Sequence, residues 1–241
     1  MSSATYAWFV SNNTVTATTS SISAQSNAAY LVIDNAAAGA TSTSSTSSTT
    51  ASETPADKKV YPSQVIADGV WQSAYASATD AATEAADTRF TIKSSGKTDG
   101  SAAAAVAEDY AIENTFYIGT GTYDGKFANL TVKNVEVSGA SSELVSAVRV
   151  LIVCGDKWCV WGNGAKVSTY TTTAGAQNLS GTNYADDSVI AATVEKGTDQ
   201  TVKVYVYYDG ADTNVFSDNL ADLTECGITI TFDATPVTYG A

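Results

Sequence analysis

Cysteines and carboxylates are the side chains with which this chain could do chemistry, because its 241 residues include no histidine. That absence excludes Ser-His-Asp and Cys-His catalysis, histidine-ligated zinc and the HExxH arrangement of metalloproteases. In the stretch "VCGDKWCVW" a tight turn at Gly155, Asp156 and Lys157 would set Cys154 opposite Cys159, at the separation an antiparallel pair offers a disulfide. Free thiols, or a bridge through Cys226, are the alternatives. The spacing is not the CxxC of redox enzymes, and a zinc ion would lack further ligands. Oxygen ligands gather in "DGADTNVFSDNLAD", where Asp209, Asp212, Asn214 and Asp218 have the density that suits calcium. Their spacing departs from the EF-hand loop, so a plain Asp/Asn turn is the competing reading. The carboxylate neighbours Glu108 with Asp109 and Asp186 with Asp187 point to opposite faces if they lie on strands. They do not face each other across a cleft as glycosidase pairs do. Solvated acidic loops account for them, and no enzyme activity is expected.

Composition bounds the partners. The chain carries 25 acidic and 12 basic residues, a net charge of -13. Nucleic acid and anionic membranes need clustered Lys and Arg, so neither is an expected partner. No run of eighteen apolar residues spans a bilayer. A surface poor in charge and rich in Ser, Thr and Asn leans towards a secreted protein.

The elements that must position these groups read as strands. In "TVKVYVYY", Val202, Val204, Val206 and Tyr208 alternate with Lys203, Tyr205 and Tyr207. In "GITITFD", Ile228, Ile230 and Phe232 alternate with Thr229, Thr231 and Asp233. "NLTVKNVEV" changes phase between Val132 and Val135, as a β-bulge does. "AVRVLIV" is apolar on both faces and suits a central strand. "GTGTYDGK" has the glycines of a hairpin and lacks the phosphate-binding GxGxxG spacing. With no βαβ rhythm, the expected fold is all-β: a jelly-roll-like two-sheet sandwich over residues 21–241, preceded by an extension over 1–20. The hydroxyl run within 41–56 is expected to be a loop. The Ala-rich stretches 73–87 and 101–109 are read equally as short helices or as surface loops.

The opening "TYAWFVSNNTVTATTSSISAQSNAAYLVI" and the closing "ATVEKGTDQTVKVYVYYDGADTNVFSDNLADLTECGITITFDA" together resemble secreted bacterial proteins of the TasA/camelysin type, which carry a SipW-type signal peptide. The resemblance covers about a third of the chain and rests on pattern rather than on catalytic residues. It implies a jelly-roll subunit of an extracellular fibre or biofilm matrix, a homopolymer in which the N-terminal segment of one copy completes a sheet of the next. Carried onto this chain, the donor is residues 5–17, with Tyr6, Trp8, Phe9, Val10 and Val15 filling a groove; the competing reading is a first strand packed on its own sheet. The proteolysis ascribed to the camelysin branch does not transfer to a chain without histidine. A rival reading is a monomeric cell-surface adhesin or carbohydrate-binding module, in which Trp71, Trp158 and Trp161 stack on a cell-surface glycan; core tryptophans are its bland counterpart.

Overall fold

The computed structural model describes residues 15–16, 21–26, 31–36, 39, 41, 48–50, 59–60, 63–65, 71–76, 90–97, 111–139, 145–172, 175–179, 183–210, 212 and 227–237. Its strands, in chain order, are β1 (Val15–Thr16), β2 (Ser21–Ser26), β3 (Val32–Asp34), β4 (Ser48–Thr50), β5 (Lys59–Val60), β6 (Ser63–Val65), β7 (Trp71–Ala76) and β8 (Phe90–Lys97). They continue with β9 (Ile112–Gly119), β10 (Lys126–Ser138), β11 (Val148–Cys154), β12 (Lys157–Trp161), β13 (Thr169–Thr172), β14 (Gly175–Asn178), β15 (Val189–Val194), β16 (Gln200–Tyr208) and β17 (Gly227–Val237).

Ten of these strands make an all-β sandwich of two sheets. The first sheet runs β15-β10-β17-β2-β4 and the second β12-β11-β16-β9-β3. Pairing is antiparallel except where β2 lies parallel to β17, with Ile22 beside Ile228. A parallel neighbour requires a long connection, and almost the whole chain separates these two strands. Smaller ladders join β1 to β5, β13 to β14, and β6 to β7 to β8.

Alternation explains the first sheet. Phe127, Leu130, Val132, Val135 and Val137 on β10 and Ile228, Ile230 and Phe232 on β17 are all buried, while Lys133, Glu136 and Ser138 are exposed. Keeping those side chains on one face requires the phase change seen in the sequence, and the β10–β17 register shifts between Val132 and Asn134. The second sheet behaves differently. One face carries Val150, Ile152, Val204, Val206 and Phe116; the other carries Leu151, Val160, Tyr205 and Tyr207; all are at most 2% exposed. Around β11 this sheet is buried on both sides, so "AVRVLIV" has the two apolar faces expected of a central strand, whereas Glu113 and Thr201 on β9 and β16 are exposed. In "TVKVYVYY" Tyr205 and Tyr207, on the face shared with Lys203, are buried as well, while Lys203 is half-buried and Thr201 exposed; β6 comes close to β16, and its fully buried Val65 belongs to the core.

Three expectations are corrected. The "GTGTYDGK" stretch is not a hairpin, since β9 belongs to the second sheet and β10 to the first. Its turn, closed by Tyr123 N–H on Thr120 O at 3.0 Å, carries the chain across the sandwich, and Tyr123 then packs on Phe127 at 5.6 Å. The hydroxyl-rich run is not loop throughout. Ser48–Thr50 pairs with β2, which needs only backbone hydrogen bonds and tolerates threonine well. Thr41 is 1% exposed and its hydroxyl donates to Asp199 Oδ1, while Asp199 Oδ2 accepts from Gly39 N–H at 2.7 Å. This clamp presses on Gly119, where a Cβ would overlap both the Thr41 hydroxyl and the Asp199 carboxylate. Lastly, the Ala-rich segment 73–87 begins inside β7; its remainder, and 101–109, lie outside the described residues.

Phe232 sits fully buried on β17, the centre of the first sheet. Phe232→Ala should lower unfolding stability by about 3–5 kcal/mol, whereas Thr235→Ala, exposed on the same strand, should change it by less than about 0.5 kcal/mol. Urea midpoints of the two variants check the contrast.

Candidate functional site

Among the described residues, Cys154, Cys159 and Asp209 are built into the fold rather than presented by it. Between β11 and β12 the chain turns in two residues, Gly155 and Asp156, with Gly155 at φ +56. A glycine in the first turn position is what a type II′ hairpin requires. The turn is centred one residue earlier than the Asp156 and Lys157 centre that would pair the cysteines. Cys154 therefore lies opposite Lys157, and Cys159 lies opposite Ile152. The two sulfurs share a face but sit on a diagonal, and both cysteines are free thiols. Burial pushes the Cys154 thiol up to about 11. It pushes Cys159 up to about 12, against smaller lowering effects of the Trp161 indole and the Lys166 charge. The Trp161 indole nitrogen is buried without a hydrogen bond of ordinary geometry, so we regard its pull on the sulfur as a weak polar one. Thiols held neutral are poor nucleophiles.

Asp209 and Asp212, half of the calcium set, do converge, and they converge on a cation of the chain itself. The Arg149 guanidinium stands 3.1 Å from Asp209 Oδ2 and 3.9 Å from Asp212 Oδ2, and Arg149 Nη1 donates to Ser146 O and to Val148 O. The Asp209 N–H donates to Ala147 O at 2.8 Å and the Asp212 N–H to Asp209 O at 3.1 Å. This network ties the start of β11 to the end of β16. Asn214 and Asp218 lie outside the described residues, as do Tyr6, Trp8, Phe9 and Val10. Val15 and Thr16, the donor residues described, pair with Val60 and Lys59 in their own chain. Trp158 and Trp161 are 4% and 7% exposed, so neither offers a ring face to a sugar. Trp158 instead meets Tyr184 edge-on at 4.9 Å.

A feature without a sequence motif lies where the two sheets end side by side. Residues 183–185 add to the outer edge of β12: Trp158 N–H donates to Asn183 O at 3.0 Å and Ala185 N–H to Trp158 O at 2.8 Å. The Tyr184 hydroxyl donates to Val167 O at 2.5 Å, and Lys166 Nζ lies 5.3 Å from the ring centre while donating to Asp186 O. Burial, with smaller contributions from Cys159 and Asp186, raises the Tyr184 phenol well above its ordinary value. From this anchored corner the chain turns into β15, leaving an open depression of about 420 Å³. Tyr184, Ala185, Val189, Ala191 and Ala192 give it apolar walls, and Asn129, Lys157, Asp186 and Asp187 give it a polar rim. Two non-glycine residues beside it adopt left-handed backbone, Asn129 at φ 56 and Ser188 at φ 63. Such conformations are uncommon and concentrate where a fold shapes a site. Here they form the β10–β15 irregularity at Leu130/Thr131, closed by Val132 N–H on Ser188 O at 3.0 Å.

Sequence reasoning noted Asp186 and Asp187 only as solvated acids, and both are exposed. It passed over the alanines, which carry no chemical signature. No family model, curated protein or solved structure matches the chain, so the site is read from its own residues.

Two outcomes are expected. With Cys226→Ser in place, Cys154 and Cys159 should resist a thiol reagent at about pH 8 until denaturant is added. Their folded values exceed the unfolded 9.0, so their share of stability is full below pH 9.0 and is lost between there and about 11 to 12; denaturant midpoints against pH follow that loss. Separately, Arg149→Ala should cost about 3 kcal/mol by stranding Asp209, whose side chain is only 6% exposed. Lys196→Ala, which breaks the exposed pair with Asp124, should leave the midpoint unchanged.

Proposed function

We propose that this chain is a secreted, non-enzymatic structural subunit that assembles with copies of itself into an extracellular filament or matrix. Its jelly-roll-like sandwich is completed by the N-terminal segment of a neighbour. The observation that carries this reading is the distribution of charge. Each copy bears a net charge of -13, yet none of its 25 acidic or 12 basic residues falls among residues 1–33. Copies so charged repel one another. An association segment free of charge escapes that repulsion, and this one also carries Tyr6, Trp8, Phe9 and Val10 without proline or glycine. An extended segment of that kind adds to a sheet edge through backbone hydrogen bonds and anchors alternate side chains. Each large side chain it buries contributes about 1.5–3 kcal/mol before ordering costs.

The absence of histidine and the burial of Cys154 and Cys159 support a role without catalysis. The burial of Trp158 and Trp161 weighs against the sugar-binding alternative.

Size-exclusion chromatography with negative-stain microscopy tests the reading. The full chain should form oligomers or filaments, and Trp8→Asp with Val10→Asp should remain monomeric with an unchanged melting temperature. A wild-type chain that is monomeric at every concentration, or a doubly substituted chain that assembles as well as wild type, would overturn it.

A further inference from the structure

The turn that follows β12 carries Asn163-Gly164, the chain's one Asn-Gly pair. Gly162 N–H donates to Ala165 O at 2.8 Å and Trp161 faces Lys166, so Asn163 and Gly164 form the tip, with Gly164 in the left-handed region at φ +72. The tip reaches from the second sheet to the first. It docks on β10 beyond Thr131, where the β10–β15 ladder has ended. Gly164 N–H donates to Val135 O at 2.7 Å, and Asn163 Oδ1 accepts from Val137 N–H at 2.9 Å. An amide side chain and a glycine backbone thereby satisfy β10 where a neighbouring strand would otherwise do so.

We propose that Asn163-Gly164 is a self-modification site held in check by these two hydrogen bonds, so that the turn is a latch between the sheets which, once open, chemistry fixes open. In the reaction the Gly164 nitrogen gives its proton to hydroxide and attacks Asn163 Cγ. The new C–N bond closes a succinimide ring, the Cγ–Nδ2 bond breaks, and ammonia leaves with a proton from water. Water then opens the ring at either carbonyl, giving aspartate or isoaspartate. Glycine favours the attack because no side chain crowds its nitrogen. Asn163 and Gly164 are both exposed, so hydroxide and water reach them. In the latched turn, however, the Gly164 N–H is committed to Val135 O and the Asn163 amide is held by its oxygen to β10. The two products act differently. Aspartate keeps an oxygen for Val137 N–H and adds a negative charge to a chain already at -13. Isoaspartate routes the main chain through the former side chain, which lengthens the turn by a carbon and removes the group that reached Val137.

The test follows the full-length chain at mildly alkaline pH. Peptide mass spectrometry gives the rate at which Asn163 becomes an acid in buffer and in denaturant, and NMR hydrogen exchange gives the protection of the Gly164 amide. The folded chain should convert at least about tenfold more slowly than the denatured one, as two hydrogen bonds of ordinary net strength require. The slowing should match the protection of the Gly164 amide, because one local opening exposes both. Phe116→Ala, in the core on β9, should lower the melting temperature and leave the rate in buffer at the wild-type value. After conversion to isoaspartate the Val137 amide should exchange faster. A folded chain that converts as fast as the denatured one, a denatured chain in which Asn163 stays intact, or a rate in buffer that rises with Phe116→Ala in step with lost stability overturns the proposal. A Val137 amide as protected after isoaspartate formation as before overturns the latch.

Discussion

Much of this fold depends on β11, and the end of β16 that pairs with it, being buried on both faces. A strand with one wet face can alternate apolar and polar residues, but β11 and β16 cannot, and their runs of valine, isoleucine, leucine and tyrosine follow from that constraint. Water must be kept from Val150, Ile152 and Val204 on one side and from Leu151, Val160, Tyr205 and Tyr207 on the other. The first sheet can cover only one side of its neighbour. Val65 of β6 and the chain around Val167, Leu179 and Tyr184 therefore belong to the core rather than to surface decoration. The same constraint disposes of the reactive groups. Cys154 and Cys159 become neutral packing residues, and Arg149 with Asp209 and Asp212 becomes a tie between strand ends.

What could be read from the sequence was whatever a strand imposes on its own residues. The alternation in β17 and the bulge in β10 are local, because each side chain's face follows from its neighbours along one strand. The covered outer face of β16 was not legible. Lys203 shares that face with Tyr205 and Tyr207, and only the return of a distant segment explains why the tyrosines are buried while the lysine is not. The hairpin expected at residues 119–126 failed for a related reason. Glycine and Asp mark a reversal of the chain but not whether the next strand stays in the same sheet. The cysteine pairing turned on where the turn is centred, because moving the centre by one residue changes every partner across the pair by two. The depression beside β15 was invisible because alanine, valine and a strained serine announce no chemistry, while the aromatic cluster at Tyr6 to Val10 announced itself at once.

In the assembly we propose, the charge-free segment over residues 5–17, with Tyr6, Trp8, Phe9 and Val10, is where strongly acidic copies would meet without repulsion. The buried thiols and the ion network of Arg149 belong to the sandwich that would receive it.

Hydrogen exchange of the full chain, followed by mass spectrometry over a range of protein concentrations, tests this account most directly. Amides of residues 5–17 should gain protection as concentration rises, while β16, already paired on both sides, should not change. Exchange at residues 5–17 that is the same at every concentration would contradict it.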